Sequence, residues 1–428
     1  MKTKPLAEIV PASLDTGSGT VWLQLGQLLD AAKRRCHHNA HLVYDSNGIL
    51  HASEAPPPPE LTRAAQTLNL PDALALPLLF DGHTHINLCG GETDAQRRNA
   101  AQLQEPGPLL EQAQERARAI FHMGVRALRD GGDKDGVGLA LSSKANASNT
   151  EAFRMARVFS PGPGIHRRGR YGSFFSTPVE AFASEADCVA SRAALGAAHI
   201  KIVPTGIINF AKGAVTAKPQ FSRDEIRAFK EATAAHGLHL MAHASGEDGI
   251  GNAIQGGVDT IEHGYFITRE QLAIMRDQNQ IWVPTFAPVH RQIIHADEMG
   301  WDDAIVGNLR RILDGHAKSL GQAMDMGIEI LIGSDAGSYG VPHAIGLFEE
   351  IWLMSQAGMP ALEALCRAIH DNPLRLAPKL EPNTITAGRE ATFLLAPTAA
   401  LKDARELAKA TVLVRGAPVQ QPEIRGLL

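Results

Sequence analysis

Leu76-Pro-Leu-Leu-Phe-Asp-Gly-His-Thr-His85 is an apolar run that ends in two histidines one residue apart. In an extended strand, residues i and i+2 leave on the same face, so His83 and His85 project together, ready to share a metal ion. A lone His-x-His at a strand end is a weak signal. Its weight comes from four more ligand-type residues, each at or near the end of its own strand-like run. They are Lys201 in His199-Ile-Lys-Ile-Val203, His243 closing Leu238-His-Leu-Met-Ala-His243, His263 closing Val258-Asp-Thr-Ile-Glu-His263, and Asp335 after Ile328-Glu-Ile-Leu-Ile-Gly-Ser334.

Between these runs the pattern turns amphipathic, over 221–235, 269–278 and 309–326, the first opened by Ser222 with Glu225 three residues on. Strand then helix, repeated, implies parallel strands joined by crossovers. Eight strands are expected, over 78–83, 125–129, 153–159, 199–203, 238–243, 258–263, 281–285 and 328–333. Eight such units point to an α/β fold, a closed (β/α)8 TIM barrel, whose chemistry sits at the C-terminal ends of its strands. All six candidate ligands fall there, on strands 1, 4, 5, 6 and 8.

A chain of 428 residues exceeds what one core usually holds. The division expected is a barrel over 78–376, flanked by residues 1–77 and 377–428. The flanks carry strand-like stretches at 21–25, 41–44, 391–395 and 411–415, and Pro56-Pro-Pro-Pro59 reads as a stiff extended loop. Neither flank holds enough apolar residues for a core of its own, so one small composite β-sandwich built from both chain ends is expected. Net charge is −5 with no basic block, which argues against nucleic acid or an anionic membrane as partner. There is no apolar run of transmembrane length, Met1-Lys-Thr-Lys-Pro5 opens no secretory segment, and the four cysteines are scattered without a CxxC. A cytoplasmic homo-oligomer acting on a small molecule is the expectation.

Either His243 or His263 alone reads most plainly as a core histidine satisfied by hydrogen bonds. Equivalent places on successive strands make the metal reading stronger for the pair. Glu262, adjacent to His263, should point the other way and be structural. Asp335 could cap the next helix, or bind metal beside the histidines. Lys201 is decisive: flanked by Ile200 and Ile202, it should point into the barrel mouth, where burial and nearby cations favour the neutral amine. A neutral amine can add CO2 to become a carbamate, an anionic ligand able to bridge two metals; the alternative is a lysine that reaches solvent. His37-His-Asn-Ala-His41 has metal-like spacing but reads as a solvated face, and Asp130, Asp133 and Asp135 read as turn residues.

Phe80-Asp-Gly-His-Thr-His85, Gly124-Val-Arg-Ala-Leu-Arg-Asp-Gly-Gly132, His199-Ile-Lys-Ile-Val203, Met241-Ala-His-Ala-Ser-Gly246, Gly257-Val-Asp-Thr-Ile-Glu-His-Gly264 and Gly333-Ser-Asp-Ala-Gly337 together resemble the amidohydrolase superfamily. The branch they resemble is the binuclear one with a carboxylated lysine, with imidazolonepropionase-like and Xaa-Pro dipeptidase-like members. The resemblance implies two divalent ions, zinc first, with manganese or cobalt also fitting. His83 and His85 would bind the more buried ion, His243 and His263 the more exposed one, carboxylated Lys201 both, and Asp335 the first ion and the reaction's proton. The loop Gly162-Pro-Gly-Ile-His-Arg-Arg-Gly-Arg-Tyr-Gly172 departs from the family's usual Gly-Gly-His-Gly stretch, and Tyr265 replaces a small or polar residue. Substrate contacts are therefore expected from Arg170, Tyr171 and Tyr265, and His343, in the loop after strand 8, is a similar candidate.

The activity these readings imply is hydrolysis of an amide in a dipeptide, an N-acyl amino acid or a related small amide, by a hydroxide bridging the two ions. A carbamate, urea or cyclic amide would suit the same site. A mononuclear deaminase would need a glutamate where Gly246 stands, and a non-catalytic relative would be expected to lack ligands that are all present here.

Overall fold

The computed structural model describes residues 19–145 and 155–419. Strands β1 (Val21–Asp30), β2 (Arg35–Asp45), β3 (Gly48–Ser53) and β4 (Gln66–Leu76) come first. Next are β5 (Leu79–Thr84), β6 (Val125–Asp130), β7 (Arg157–Phe159), β8 (Gly164–His166), β9 (Ser176–Pro178), β10 (Ile200–Ile202), β11 (Leu240–Ala244), β12 (Thr260–His263) and β13 (Ile281–Val283). Then follow β14 (Phe393–Pro397), β15 (Thr411–Val414) and β16 (Ala417–Pro418).

Strands β5, β6 and β7 pair in parallel, and so do β8, β10, β11, β12 and β13. The two arcs close into one barrel. On one side Ala198 N donates to Ser160 O at 2.8 Å; on the other, Trp282 bridges Ile330 and Gly82 N donates to Ile332 O at 2.9 Å. Asn372 ties that second seam, its Nδ2 donating to Phe80 O (2.9 Å) and Ile332 O (2.6 Å) while its Oδ1 accepts from Ile332 N (3.0 Å).

Two strands depart from the expected regularity. The third, expected over 153–159, is described from Arg157, residues 153 and 154 lying outside the described part. It breaks at Pro161 and Pro163, which lack the N–H a ladder needs, and β8 resumes the pairing with β10. The eighth, expected over 328–333, pairs with β13 through one bridge at Ile330. Here the chain must pass His83 so closely that a Cβ on Gly333 would lie 2.7 Å from the His83 Cβ.

Alternation along the strands sorts the barrel into two layers. Ile200, Ile202, Ala242, Ala244, Ile261, Ile330 and Ile332 pack outward in one large core under the helices. Helix Arg223–Ala235 begins with the expected capping box, Ser222 with Glu225, and presses Ile226 and Phe229 into that core. Residues between the outward ones, Lys201 and Glu262 among them, are left facing inward.

Both chain ends build one seven-stranded sheet in the order β16-β15-β14-β4-β1-β2-β3. Its faces separate by the same period of two. Ala73, Ala75, Phe393, Leu395 and Leu413 join a small core of the sheet's own, whereas Leu74, Leu76, Leu394, Ala396 and Val412 join the barrel's core. The composite β unit is thus present, its strands linked as one continuous sheet. No helix among the described residues is long and apolar enough to cross a membrane.

Candidate metal and active site

The end of β5 brings His83 and His85 to Asp335, as the i, i+2 spacing requires. Their Nε2 atoms lie 3.5 and 3.6 Å from Asp335 Oδ1, and the three ligand atoms fall within 4.8 Å of one another. Glu262 determines which His83 nitrogen is available. Its Oε2 lies 2.6 Å from His83 Nδ1, and a carboxylate only accepts, so the proton sits on Nδ1. The lone pair is then on Nε2, a buried atom with no hydrogen-bond partner. Arg129 in turn holds Glu262, donating from Nη1 to Oε1 (3.0 Å) and from Nη2 to Thr260 Oγ1 (2.9 Å). His85 Nδ1 lies 3.3 Å from the Gly132 carbonyl, which again turns Nε2 toward Asp335. Gly131 makes room for this ring: a Cβ there would sit 2.5 Å from His85 Cε1.

His263 and His243 complete a ring of imidazoles. The His263 ring lies 5.1 Å from that of His83 and 4.5 Å from that of His243, and its Nδ1 is 2.7 Å from Thr285 Oγ1. His243 Nε2 is buried without a partner, the second such atom in the cluster. Lys201 is 2% exposed, its neighbours Ile200 and Ile202 turned outward, so its stem runs inward and not to solvent.

The expectation that Glu262 points away from the site is overturned. β12 sends Thr260 and Glu262 inward to Arg129 and Ile261 outward, so alternation would turn His263 outward too. Instead His263 has φ +67°, a left-handed conformation uncommon outside glycine, and the ring swings back to the site. Thr285 (φ +55°) and Asp335 (φ +53°) share that conformation at neighbouring strand ends. Backbone strain of this kind, of order 1–3 kcal/mol per residue, persists where the surrounding structure overdetermines it.

Burial governs the electrostatics. It pushes the imidazolium pKa of His83 and His263 well below the usual value, helped by Lys201 for His83 and by His243 for His263. It takes His85 and His243 down to about 3, with Lys201 adding to the shift. Burial also lowers the Lys201 ammonium and raises the Asp335 carboxyl. The histidines are therefore neutral ligands throughout the physiological range. Neutral imidazoles with outward Nε2 lone pairs, a carboxylate and a lysine disposed to shed its charge form a donor set suited to borderline divalent ions. The residues fit the metals that the fold implies.

The amidohydrolase family model matches residues 74–368. This chain belongs to the amidohydrolase family. An uncharacterized protein of Mycobacterium tuberculosis is 27% identical over 300 residues, 69% of this chain and 72% of that one. The ochratoxinase of Aspergillus niger is 25% identical over 403 residues, 87% of this chain and 79% of the ochratoxinase. Among solved structures, a Xaa-Pro dipeptidase with methionine in its active site superposes with a TM-score of 0.74 at 22% identity, covering 94% of this chain and all of the other.

In this amidohydrolase the ligand cluster opens into a cavity of about 270 Å3. His85, Lys201, His243, His263 and Asp335 form its floor, and Tyr171, Phe174, Phe175, Phe210 and Tyr265 give it an aromatic wall. Two of the four expected substrate contacts are therefore at the cavity. Tyr171 places its ring 5.5 Å from that of His243. Tyr265 contributes its ring, while its hydroxyl is committed to the Thr285 carbonyl at 2.5 Å.

The other two are corrected. Arg170 does not line the cavity; its guanidinium donates outward to the Lys218 carbonyl, and the same loop's Arg167 is tied to Gln220 and Glu225. His343 is 1% exposed and does not line the cavity; its Nε2 lies 3.0 Å from the Leu88 carbonyl, beneath the loop that follows β5. Sequence reasoning missed Glu262 and Arg129 as supports of His83, and Arg98 and Tyr339 as cavity residues. Arg98 lies in the polar helix Ala95–Gln102, where no periodic signal marks one residue for the site.

Proposed function

We propose that this amidohydrolase hydrolyses an amide bond in a small substrate such as a dipeptide or an N-acyl amino acid. It would hold two divalent ions, zinc first, on His83, His85, His243, His263, Asp335 and a carboxylated Lys201. The observation that carries the reading is His83, with Nδ1 bound by Glu262 and Nε2 buried, unpartnered and 3.5 Å from Asp335 Oδ1. Bound divalent ions supply Lewis-acid polarisation of the amide carbonyl and lower the pKa of water.

The chain's own residues do the rest. The Lys201 ammonium, its pKa lowered by burial to about 8, gives up one proton; the amine then adds CO2, an N–C bond forms as a second proton leaves, and an anionic carbamate replaces a disfavoured cation. Asp335 accepts the proton of the attacking water and passes it to the departing amine. Its carboxyl is raised by burial, which favours the protonated form it must adopt midway, and Ser338 Oγ, 2.8 Å from Oδ2, fixes its orientation. Tyr171, on the cavity wall beside His243, would donate to the tetrahedral oxyanion. The aromatic wall excludes water and receives an apolar side chain. The relatives support amide chemistry in general, since an ochratoxinase and a Xaa-Pro dipeptidase are among them.

The test is amino-acid release from a panel of dipeptides and N-acyl amino acids by full-length protein of measured metal content. Release that chelation abolishes and metal restores is expected. A metal-replete protein that releases nothing from any member would overturn the reading.

A further inference from the structure

Arg98 and Tyr339 stand on the cavity wall next to Asp335, and the hydrolytic mechanism uses neither. Arg98 is half-buried, and among the described residues no carboxylate pairs with it. Its Nη1 donates to the Cys89 carbonyl at 2.7 Å and its Nη2 to the Gly337 carbonyl, which fixes the guanidinium plane. Five N–H groups less these two leave donors for a further acceptor. Burial lowers its pKa, as a counter-anion would reverse. Tyr339 carries a hydroxyl that is buried and unpartnered; burial and the Glu298 carboxylate raise its pKa, and the charge of Arg98 opposes them. Asp335 and Glu92 act on this guanidinium only through space, without an ion pair, so a guanidinium with spare donors beside an unsatisfied phenol suits an anion with two acceptor oxygens.

We infer that Arg98 and Tyr339 form a carboxylate subsite that selects substrates whose amine half is an amino acid with a free α-carboxylate. Position decides which half of the substrate carries the anion. Asp335 and Tyr339 sit four residues apart on one turn, and Arg98 is pinned to Gly337 between them. Asp335 hands its proton to the leaving nitrogen, so a group bound within that turn lies on the leaving side, one carbon beyond the nitrogen. The aromatic side chains Phe174, Phe175 and Tyr171 remain for the apolar parts. The choice of the amine half rests on the amide-hydrolysis reading; the subsite itself does not.

The experiment separates the two. Binding of 3-phenylpropionate and 3-phenylpropionamide to the metal-loaded protein is measured by calorimetry; the acid has no amide bond and the primary amide has no amino-acid leaving group, with ammonia assayed to show that it stays intact during the titration. The acid should bind roughly tenfold or more tightly than the amide, the worth of a charge-assisted hydrogen bond. Arg98→Met should remove most of that preference and Tyr339→Phe part of it, while Arg98→Lys keeps some. Because Arg98 also holds two carbonyls, Tyr339→Phe and Arg98→Lys keep the test decisive if Arg98→Met fails to fold. Equal binding of acid and amide by the unaltered protein, or a preference that survives these substitutions, overturns the subsite. Cleavage of N-acetyl-L-phenylalanine against its carboxamide gives the kinetic counterpart, with the same fall in the acid-over-amide ratio. Failure to cleave either compound, with the binding preference intact, strikes the proposed reaction and leaves the subsite standing.

Discussion

Glu262 controls His83 from behind, and its replacement separates orientation from ligation. Glu262→Gln keeps the shape but offers His83 Nδ1 an amide that can equally present its N–H, and it weakens the hold of Arg129. Metal affinity should fall roughly 10- to 100-fold, as for other partners of ligating histidines, measurable by competition with a chromogenic chelator. Unchanged affinity would mean that Glu262 is merely a core ion pair. His83 and His85 were legible because a period of two is all they need. Glu262 was not, because the positive φ of His263 breaks that period, and a non-glycine residue gives no sign in sequence that it will adopt such a conformation. A second residue reports through pH. His316, stacked 4.3 Å from Tyr265 and bonded to the Pro284 carbonyl, has its pKa pushed by burial from the usual 6.5 to about 4. Below pH 6.5 the unfolded chain takes up a proton that the folded chain refuses, so this stability is present above 6.5 and lost on acidification toward 4. Urea midpoints over that range should fall less steeply in His316→Gln than in the unaltered protein.

Elements show why the barrel closes where it does. Hydrogen bonds that β5 would share with a regular eighth strand are partly supplied by the Asn372 side chain, which makes three buried bonds across the seam. Asn372→Ala should therefore cost roughly 3 kcal/mol, read as a lowered thermal midpoint with the metal content of the surviving folded protein retained. A loss no larger than that of a surface change would show the seam to be held elsewhere. The helices were well announced by their caps, Ser222 with Glu225 being visible as letters. The splitting of the third strand was announced less clearly, since Pro161 and Pro163 forbid ladder bonds without saying where pairing resumes. The two-sided alternation of β4 and β14 could not be assigned to its two cores before the barrel was in place.

Across the whole molecule, the proposed ligand set would tie together β5, β10, β11, β12 and the run that ends at Asp335. Ions that bound only the folded state there would stabilise all of these at once, by about 4 kcal/mol at a thousandfold excess over Kd. Chelation should lower the thermal midpoint of the entire barrel in one cooperative step, and restored zinc should reverse it; an unshifted midpoint would place the ions outside the fold's energetics. That His83, His85 and Asp335 come together was readable from their places at the ends of strand-like runs. The cavity wall was not, because Arg98, Tyr339 and Phe174 come from loops and a polar helix whose placement depends on the assembled fold.

The central claim is a pair of ions clasped by a modified lysine, and diffraction from metal-loaded crystals tests it most directly. Anomalous scattering should show two peaks, one by His83 and His85 and one by His243 and His263, with three added atoms of density on Lys201 Nζ. A single peak with an unextended amine at Lys201 would contradict it.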